Sequence, residues 1–226
     1  MSPPITRPFP CFIANSPQEG RPYGQWAKRL EEEFAKACEP YAGEAGAPLD
    51  PDTVRWFPER GWGGRVYVPC TGRATEPTGG GEPEEGGEPS GPVLVEYFGH
   101  VSLVRDEDGE PGDLRASADF TDVTAEDNPQ WKIDLSDEVI GAWRAEGNRG
   151  GEITLVWGLP LVRGAVAATA ELDGEVVDQA AVQDGRFTLV AADAVRGFGD
   201  ELYLEVRLWD RTLRQIASES LYAEGD

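Results

Sequence analysis

The residues able to carry chemistry are few in kind: one histidine, His100, three cysteines, Cys11, Cys38 and Cys70, and 42 carboxylates. Nucleophilic catalysis needs a base beside the nucleophile. The one imidazole lies inside the apolar run Phe98-Gly99-His100-Val101, with no G-x-S-x-G motif nearby. A histidine in the middle of a strand is expected to be hydrogen-bonded in or beside the core, not to activate a serine or cysteine. The cysteines are odd in number, widely spaced and form no C-x-x-C pair. That pattern argues against a zinc knuckle or thioredoxin-type motif and predicts reduced, buried thiols.

The carboxylates offer metal binding and acid–base work. Asp106-Glu107-Asp108-Gly109-Glu110 has the composition of a calcium loop but not its order of alternate acids, glycine at six and glutamate at twelve. Asp119, Asp122 and Asp127 form a second acidic group. Both are expected to be solvated turn acids. Among 42 acids some pair will fall at a glycosidase spacing by chance. Trp56, Trp62, Trp143, Trp157 and Trp209 could stack sugars, although most are expected in the core. There is no G-x-x-x-x-G-K-[ST] and no G-x-G-x-x-G at a strand-to-helix turn. Gly61-Trp62-Gly63-Gly64 and Gly79-Gly80-Gly81 read as a hairpin and a linker. No catalytic, metal-binding or cofactor-binding residue is therefore assigned, and no cofactor is expected.

Charge narrows the partners. The 42 acids face 20 basic residues, for a net charge of -22, and only Lys28, Lys36 and Lys132 are lysines. Such a chain repels nucleic acid and anionic lipid, so the expected partner is a protein with a basic or neutral surface. A high-salt cytoplasm or a GC-rich genome would also produce this balance. No run approaches ~18 apolar residues, and the proline-rich start Met-Ser-Pro-Pro-Ile-Thr-Arg-Pro-Phe-Pro lacks the apolar core of a signal peptide. The expected location is the cytoplasm.

The elements that must position these residues are mostly strands. Residues 1–18 read as an extended arm with apolar anchors at Ile5, Phe9, Phe12 and Ile13. From Pro22 to Tyr41 the spacing of Tyr23, Trp26, Ala27, Leu30, Phe34, Ala37, Cys38 and Tyr41 predicts an amphipathic helix, started by Pro22 and ended by Pro40. Val54–Phe57 and Arg65–Val68 read as short strands with Trp62 at the tip between them. Residues 74–92, rich in Gly, Pro and Glu, read as a flexible insertion between paired strands or a linker. Val93–Arg105 reads as a central strand, 106–113 as an acidic hairpin tip and 114–135 as irregular, with Trp131, Ile133 and Leu135 alternating as a short strand. Ser136 before Asp137 and Glu138, with Val139, Ile140 and Trp143 following, predicts a short helix over 137–145.

Beyond residue 150 the pattern is β. Ile153, Leu155 and Trp157 alternate, and strands are expected at 165–172, 176–182, 186–191, 201–209 and 213–222. Asp173-Gly174 and Asp184-Gly185 supply the positive φ of tight turns. In 201–209, Leu202, Leu204, Val206 and Leu208 take one face, and Tyr203, Glu205, Arg207 and Trp209 the other. The expected class is mainly β (α+β). An antiparallel immunoglobulin-like β-sandwich forms the C-terminal part, and the N-terminal amphipathic helix packs on a small antiparallel sheet. The expected organisation is 1–73, the insertion or linker 74–92, and a β-rich domain 93–226, with 1–73 able to merge into it.

The function expected is that of a non-enzymatic, protein-binding accessory or adaptor subunit. One form neutralises a basic partner, and another belongs to a multi-protein assembly. The contact candidates are Phe9, Phe12, Trp62, Tyr203, Arg207 and Trp209. The alternative is a carboxylate- or calcium-dependent hydrolase or glycan-binding protein.

Overall fold

The structure, a computed structural model, describes residues 24–75, 94–107, 110–144, 150–172, 174–192 and 204–221. It is mainly β, and the described residues form three antiparallel sheets and one short α-helix. The chain divides into two compact units between Trp131 and Lys132. The segment 74–92 falls in sequence between two strands that pair with each other, and its residues from 76 onward lie outside the described residues.

In the first unit the helix α1 spans Ala27–Cys38, with 3₁₀ turns at Gly24–Trp26 and Glu39–Tyr41 on either side. Its three- and four-residue spacing buries Ala27, Leu30, Phe34 and Cys38 on one face. The other face is solvated: Lys28 approaches Glu32 at 3.7 Å and Lys36 approaches Glu33 at 2.7 Å. Pro40 closes the helix by forcing the final 3₁₀ turn.

The buried face lies against a sheet in the order β1 (Arg55–Trp56), β3 (Arg65–Arg73), β4 (Glu96–Arg105), β5 (Pro111–Thr121), with β2 (Arg60–Trp62) also pairing with β3. Phe34 meets Trp56 edge-to-face at 6.5 Å, and Val68, Val101 and Leu103 complete the core. Full burial of a side chain such as Phe34 contributes about 1.5–3 kcal/mol. The buried Tyr97 hydroxyl donates to the Ala47 carbonyl at 2.7 Å, so the loop after the helix is fixed to β4.

Two expectations about this unit change. Residues 114–121 are not irregular, because β5 starts at Pro111 and pairs with β4 to Thr121. Leu114, Ala116, Ala118 and Phe120 alternate inward against Arg115, Ser117 and Asp119, but two of the four inward residues are alanines, so the apolar signal is weak. The hairpin tip accordingly ends at Glu110 instead of residue 113.

The second unit holds β6 (Ile133–Arg144), β7 (Gly150–Pro160), β8 (Ala167–Leu172), β9 (Glu175–Ala181), β10 (Phe187–Ala192), β11 (Leu204–Trp209) and β12 (Gln215–Ser220). One sheet runs β10-β7-β6 and the other β12-β11-β8-β9. Their inner faces share one apolar core, with Val156, Phe187 and Leu189 from the first and Ala170, Leu204, Val206 and Leu208 from the second. The expected alternation on β11 is present: Leu204, Val206 and Leu208 are fully buried, while Glu205, Arg207 and Trp209 are half-buried on the outer face.

The helix expected over 137–145 is instead part of β6, paired with β7 from Ile133 to Arg144. A register shift between Val139 and Gly141 explains the misreading. A bulge inserts one extra residue and breaks the two-residue period, leaving Val139, Ile140 and Trp143 at helix-like spacings. Gly141 and two β-branched residues favour the strand.

The turn between β9 and β10 holds Asp184 (φ 48°) and Gly185 (φ 72°), a two-residue connection that needs positive φ at both positions. Gln183 and Arg186 exchange backbone hydrogen bonds across it at 2.8 Å. Beyond these two residues the strands separate, β9 into the four-stranded sheet and β10 into the three-stranded one.

Candidate partner-contact site

Of the six contact candidates, Phe9, Phe12 and Tyr203 lie outside the described residues. Trp62 ends β2, directly opposite Arg65, at the tip of a hairpin whose loop is Gly63 (φ 58°) and Gly64 (φ 79°). Only glycine adopts two successive positive φ values without penalty, so this tight turn presents the indole outward. Trp62 is 37% exposed. Arg207 and Trp209 lie two residues apart on β11, on the outer face of the four-stranded sheet.

Cross-strand register builds the site around this pair. Arg207 stands opposite Thr169 of β8, and Glu205 opposite Glu171. The Arg207 guanidinium bridges both acids, with Nη1 at 2.8 Å from Glu171 and Nη2 at 2.6 Å from Glu205. The Trp209 Nε1–H donates to the Thr169 hydroxyl at 2.9 Å, and that hydroxyl donates to Glu171 at 3.2 Å. The indole, hydroxyl and carboxylate therefore form one chain of hydrogen bonds that fixes both aromatic and guanidinium planes.

Electrostatics follow burial. The Glu171 side chain is 4% exposed, and burial pushes its carboxyl above the usual range, with Arg207 only partly opposing. Glu205 is more open, and its hydrogen bond from Arg207 holds its carboxyl below the usual range. The Arg207 guanidinium is itself held more firmly charged by the hydrogen bond to Glu205. Its Nε has no hydrogen-bond partner among the described residues. Arg207 thus serves first to neutralise a buried acid, which its alternating outward position did not disclose. Thr169 and Glu171 were missed as site residues. Their one sequence signal is a lone Glu within the small, apolar strand Ala167–Leu172.

The adjoining turn is held by Asp210. Its Oδ1 accepts from the Thr212 N–H and hydroxyl, at 2.8 and 2.7 Å, and from the Arg214 N–H at 3.0 Å. These bonds hold the carboxyl below the usual range and let Leu213 adopt a positive φ of 62°. Arg211 and Arg214 stand exposed on this turn, beside Trp209.

The residues weighed for catalysis and metal binding are placed differently. His100 is buried on β4, between Pro69 and Ser117 of the flanking strands, with its ring 5.3 Å from that of Tyr67. Cys38 and Cys70 are buried in the core of the first unit, and burial pushes the Cys38 thiol up to about 12. At that value it is not a nucleophile. Cys11 lies outside the described residues.

Asp106 accepts from the Glu110 N–H at 2.8 Å, and Asp127 from the Thr124 hydroxyl at 3.1 Å, each closing a local turn. Asp119 accepts from the Phe120 N–H at 2.8 Å. Among the described residues no group of three or more His, Cys, Asp or Glu side chains is placed to hold a metal ion. Of the tryptophans, Trp157 is fully buried, and Trp56 and Trp143 are half-buried in separate units. Gly63 and Gly64 serve the hairpin and open no helix.

Comparison with family models, curated proteins and solved structures finds no match. Among the described residues no helix is long and apolar enough to cross a membrane.

Proposed function

We propose that this protein is a non-enzymatic accessory or adaptor subunit that binds a protein of basic or neutral surface, and that its second unit is an immunoglobulin-like sandwich. In sequence order its seven strands divide as first, second and fifth against third, fourth, sixth and seventh. That three-plus-four division, with a core between two antiparallel sheets, is the pattern of such sandwiches. The fold alone names no activity. The observation that carries the reading is the Trp209–Arg207 pair. A tryptophan and an arginine are neighbours on one sheet face, both half-buried and both held by hydrogen bonds before any partner arrives. Trp and Arg dominate the energetic centres of protein interfaces, and prior ordering lowers the cost of binding.

The test is affinity capture from the native host with the wild-type chain and with Trp209→Ala and Arg211→Glu/Arg214→Glu variants whose thermal melts match it. A protein held by the wild type and lost by the variants supports the reading. A bound protein retained equally by all three contradicts it.

A further inference from the structure

We infer that the outer face of the four-stranded sheet, around Trp209 and the β11–β12 turn, binds a second copy of this chain, making the protein a weak homodimer. The inference rests on the partner-contact reading above and names the partner.

Its basis is local charge. The chain as a whole carries -22. On this face and its turn, Glu171, Glu205 and Asp210 are matched by Arg207, Arg211 and Arg214. The other acids of these strands are directed elsewhere. Asp178 accepts from the Val190 N–H of the opposite sheet, Glu219 accepts from the Lys132 N–H, and the exposed Glu175 at the end of β9 stands opposite the core residue Leu172. Val176, Gln179, Ala181, Gln215, Ser218 and Ser220, which the register places on this face, are uncharged. A patch of zero net charge, with both signs present beside a tryptophan, is self-complementary. In an isologous pair each contact occurs twice, so the exposed Arg211 and Arg214 of one copy can meet the half-exposed Glu205 of the other, and the reverse. Copies approaching through surfaces that carry the chain's excess of acids repel each other.

Size sets the strength. Four strands ~4.8 Å apart, each of about six residues at ~3.3 Å, give a face of roughly 15–19 by 20 Å. That is about half of the ~800 Å² per partner typical of a stable complex, which places the dimer in the weak range.

Salt gives the sign. Ion pairs at the rim contribute little, whereas the repulsion between two bodies of -22 acts over a screening length of ~10 Å at 0.1 M salt and ~3 Å at 1 M. Added salt therefore strengthens this dimer. A complex between this chain and a basic partner would weaken instead.

Sedimentation equilibrium of the full chain from ~10 μM to ~1 mM, at low and high sodium chloride, tests this. The expected result is a dimer with Kd between about 10 μM and 1 mM that tightens with salt. Arg211→Glu/Arg214→Glu should weaken it at least ~10-fold, and Trp209→Phe, which keeps the ring but not the indole N–H, should weaken it less. A monomer at every concentration and salt, or a dimer indifferent to these variants, overturns the inference. If the chain is monomeric but the same variants lose a captured protein, the dimer falls and the partner-contact reading stands. If they lose nothing, both fall.

Discussion

The Asp178 carboxylate on β9 accepts a hydrogen bond from the Val190 backbone N–H on β10 at 2.8 Å, across the edge where the two sheets of the second unit separate. Among the described residues each of these strands is the last in its sheet, so Val190 has a neighbouring strand there on one side only. Asp178 supplies an acceptor that no strand supplies. An edge satisfied this way is also a poor template for pairing with other chains.

Asp178→Ala should therefore destabilise the protein by about 1–2 kcal/mol, the cost of leaving a partly buried donor without its acceptor. Urea denaturation measures it. Asn should recover part of the loss through its amide oxygen, and an unchanged midpoint for Ala would show that water replaces the carboxylate.

Removing Arg207 should cost more than removing Glu171. Arg207→Met leaves the Glu171 carboxylate, 4% exposed, with only Thr169 as a partner. Breaking a buried pair on one side costs about 3–5 kcal/mol, and the low end applies because the Arg207 side chain is 28% exposed. Glu171→Gln/Arg207→Met should be more stable than Arg207→Met alone. Equal stability of the two would mean that Glu171 is already protonated at the working pH.

Stability should pass through a maximum in mild acid. Burial raises the carboxyls of Asp134 and Glu171 above their unfolded values. Each therefore contributes stability that is full below the unfolded value, about 4, and is lost as pH rises through the folded one. Hydrogen bonds lower Asp113, Glu205 and Asp210, with Arg65 the largest cause for the first, Arg207 for the second and Thr212 for the third. Their contribution is present above about 4 and lost as pH falls through their folded values. Melting temperature should rise as pH falls from neutral toward the unfolded carboxyl value of about 4 and drop below it, with Asp134→Asn flattening the first limb. A steady rise from pH 4 to 8 contradicts this.

Gly158→Ala should destabilise by about 1–3 kcal/mol, the range for overpacking. A Cβ there would meet the Asp134 carbonyl oxygen at 2.6 Å and Phe187 Cζ at 2.9 Å. The backbone atom cannot move aside without disturbing the pairing of β6 with β7. A calorimetric melt equal to wild type would show that β6 has more freedom than its register implies.

Much of this architecture was legible because its periods are regular. The helix followed from the spacing of Leu30, Phe34 and Cys38, and β11 from the alternation of Leu204, Val206 and Leu208. The strand β6 was not, because the bulge at Val139–Gly141 broke the two-residue period. A sandwich was expected, but which strand joins which sheet was hidden. Asp184-Gly185 reads as an ordinary hairpin turn, and nothing local shows that the strands separate two residues later. At the site, Trp209 and Arg207 were visible as an outward pair, but Glu171 was not. Its ion-pair partner is an arginine distant in sequence and adjacent only through strand register.

The most direct test of the contact face is site-specific photo-cross-linking. A benzophenone side chain is placed at the exposed Arg214, beside Trp209, and in a control chain at the exposed Val104 of the first unit. A discrete cross-linked species formed from position 214 alone, and lost when Trp209→Ala is added, is the predicted result. Cross-links of equal yield from both positions, or from position 104 alone, would contradict a partner-binding role for this face.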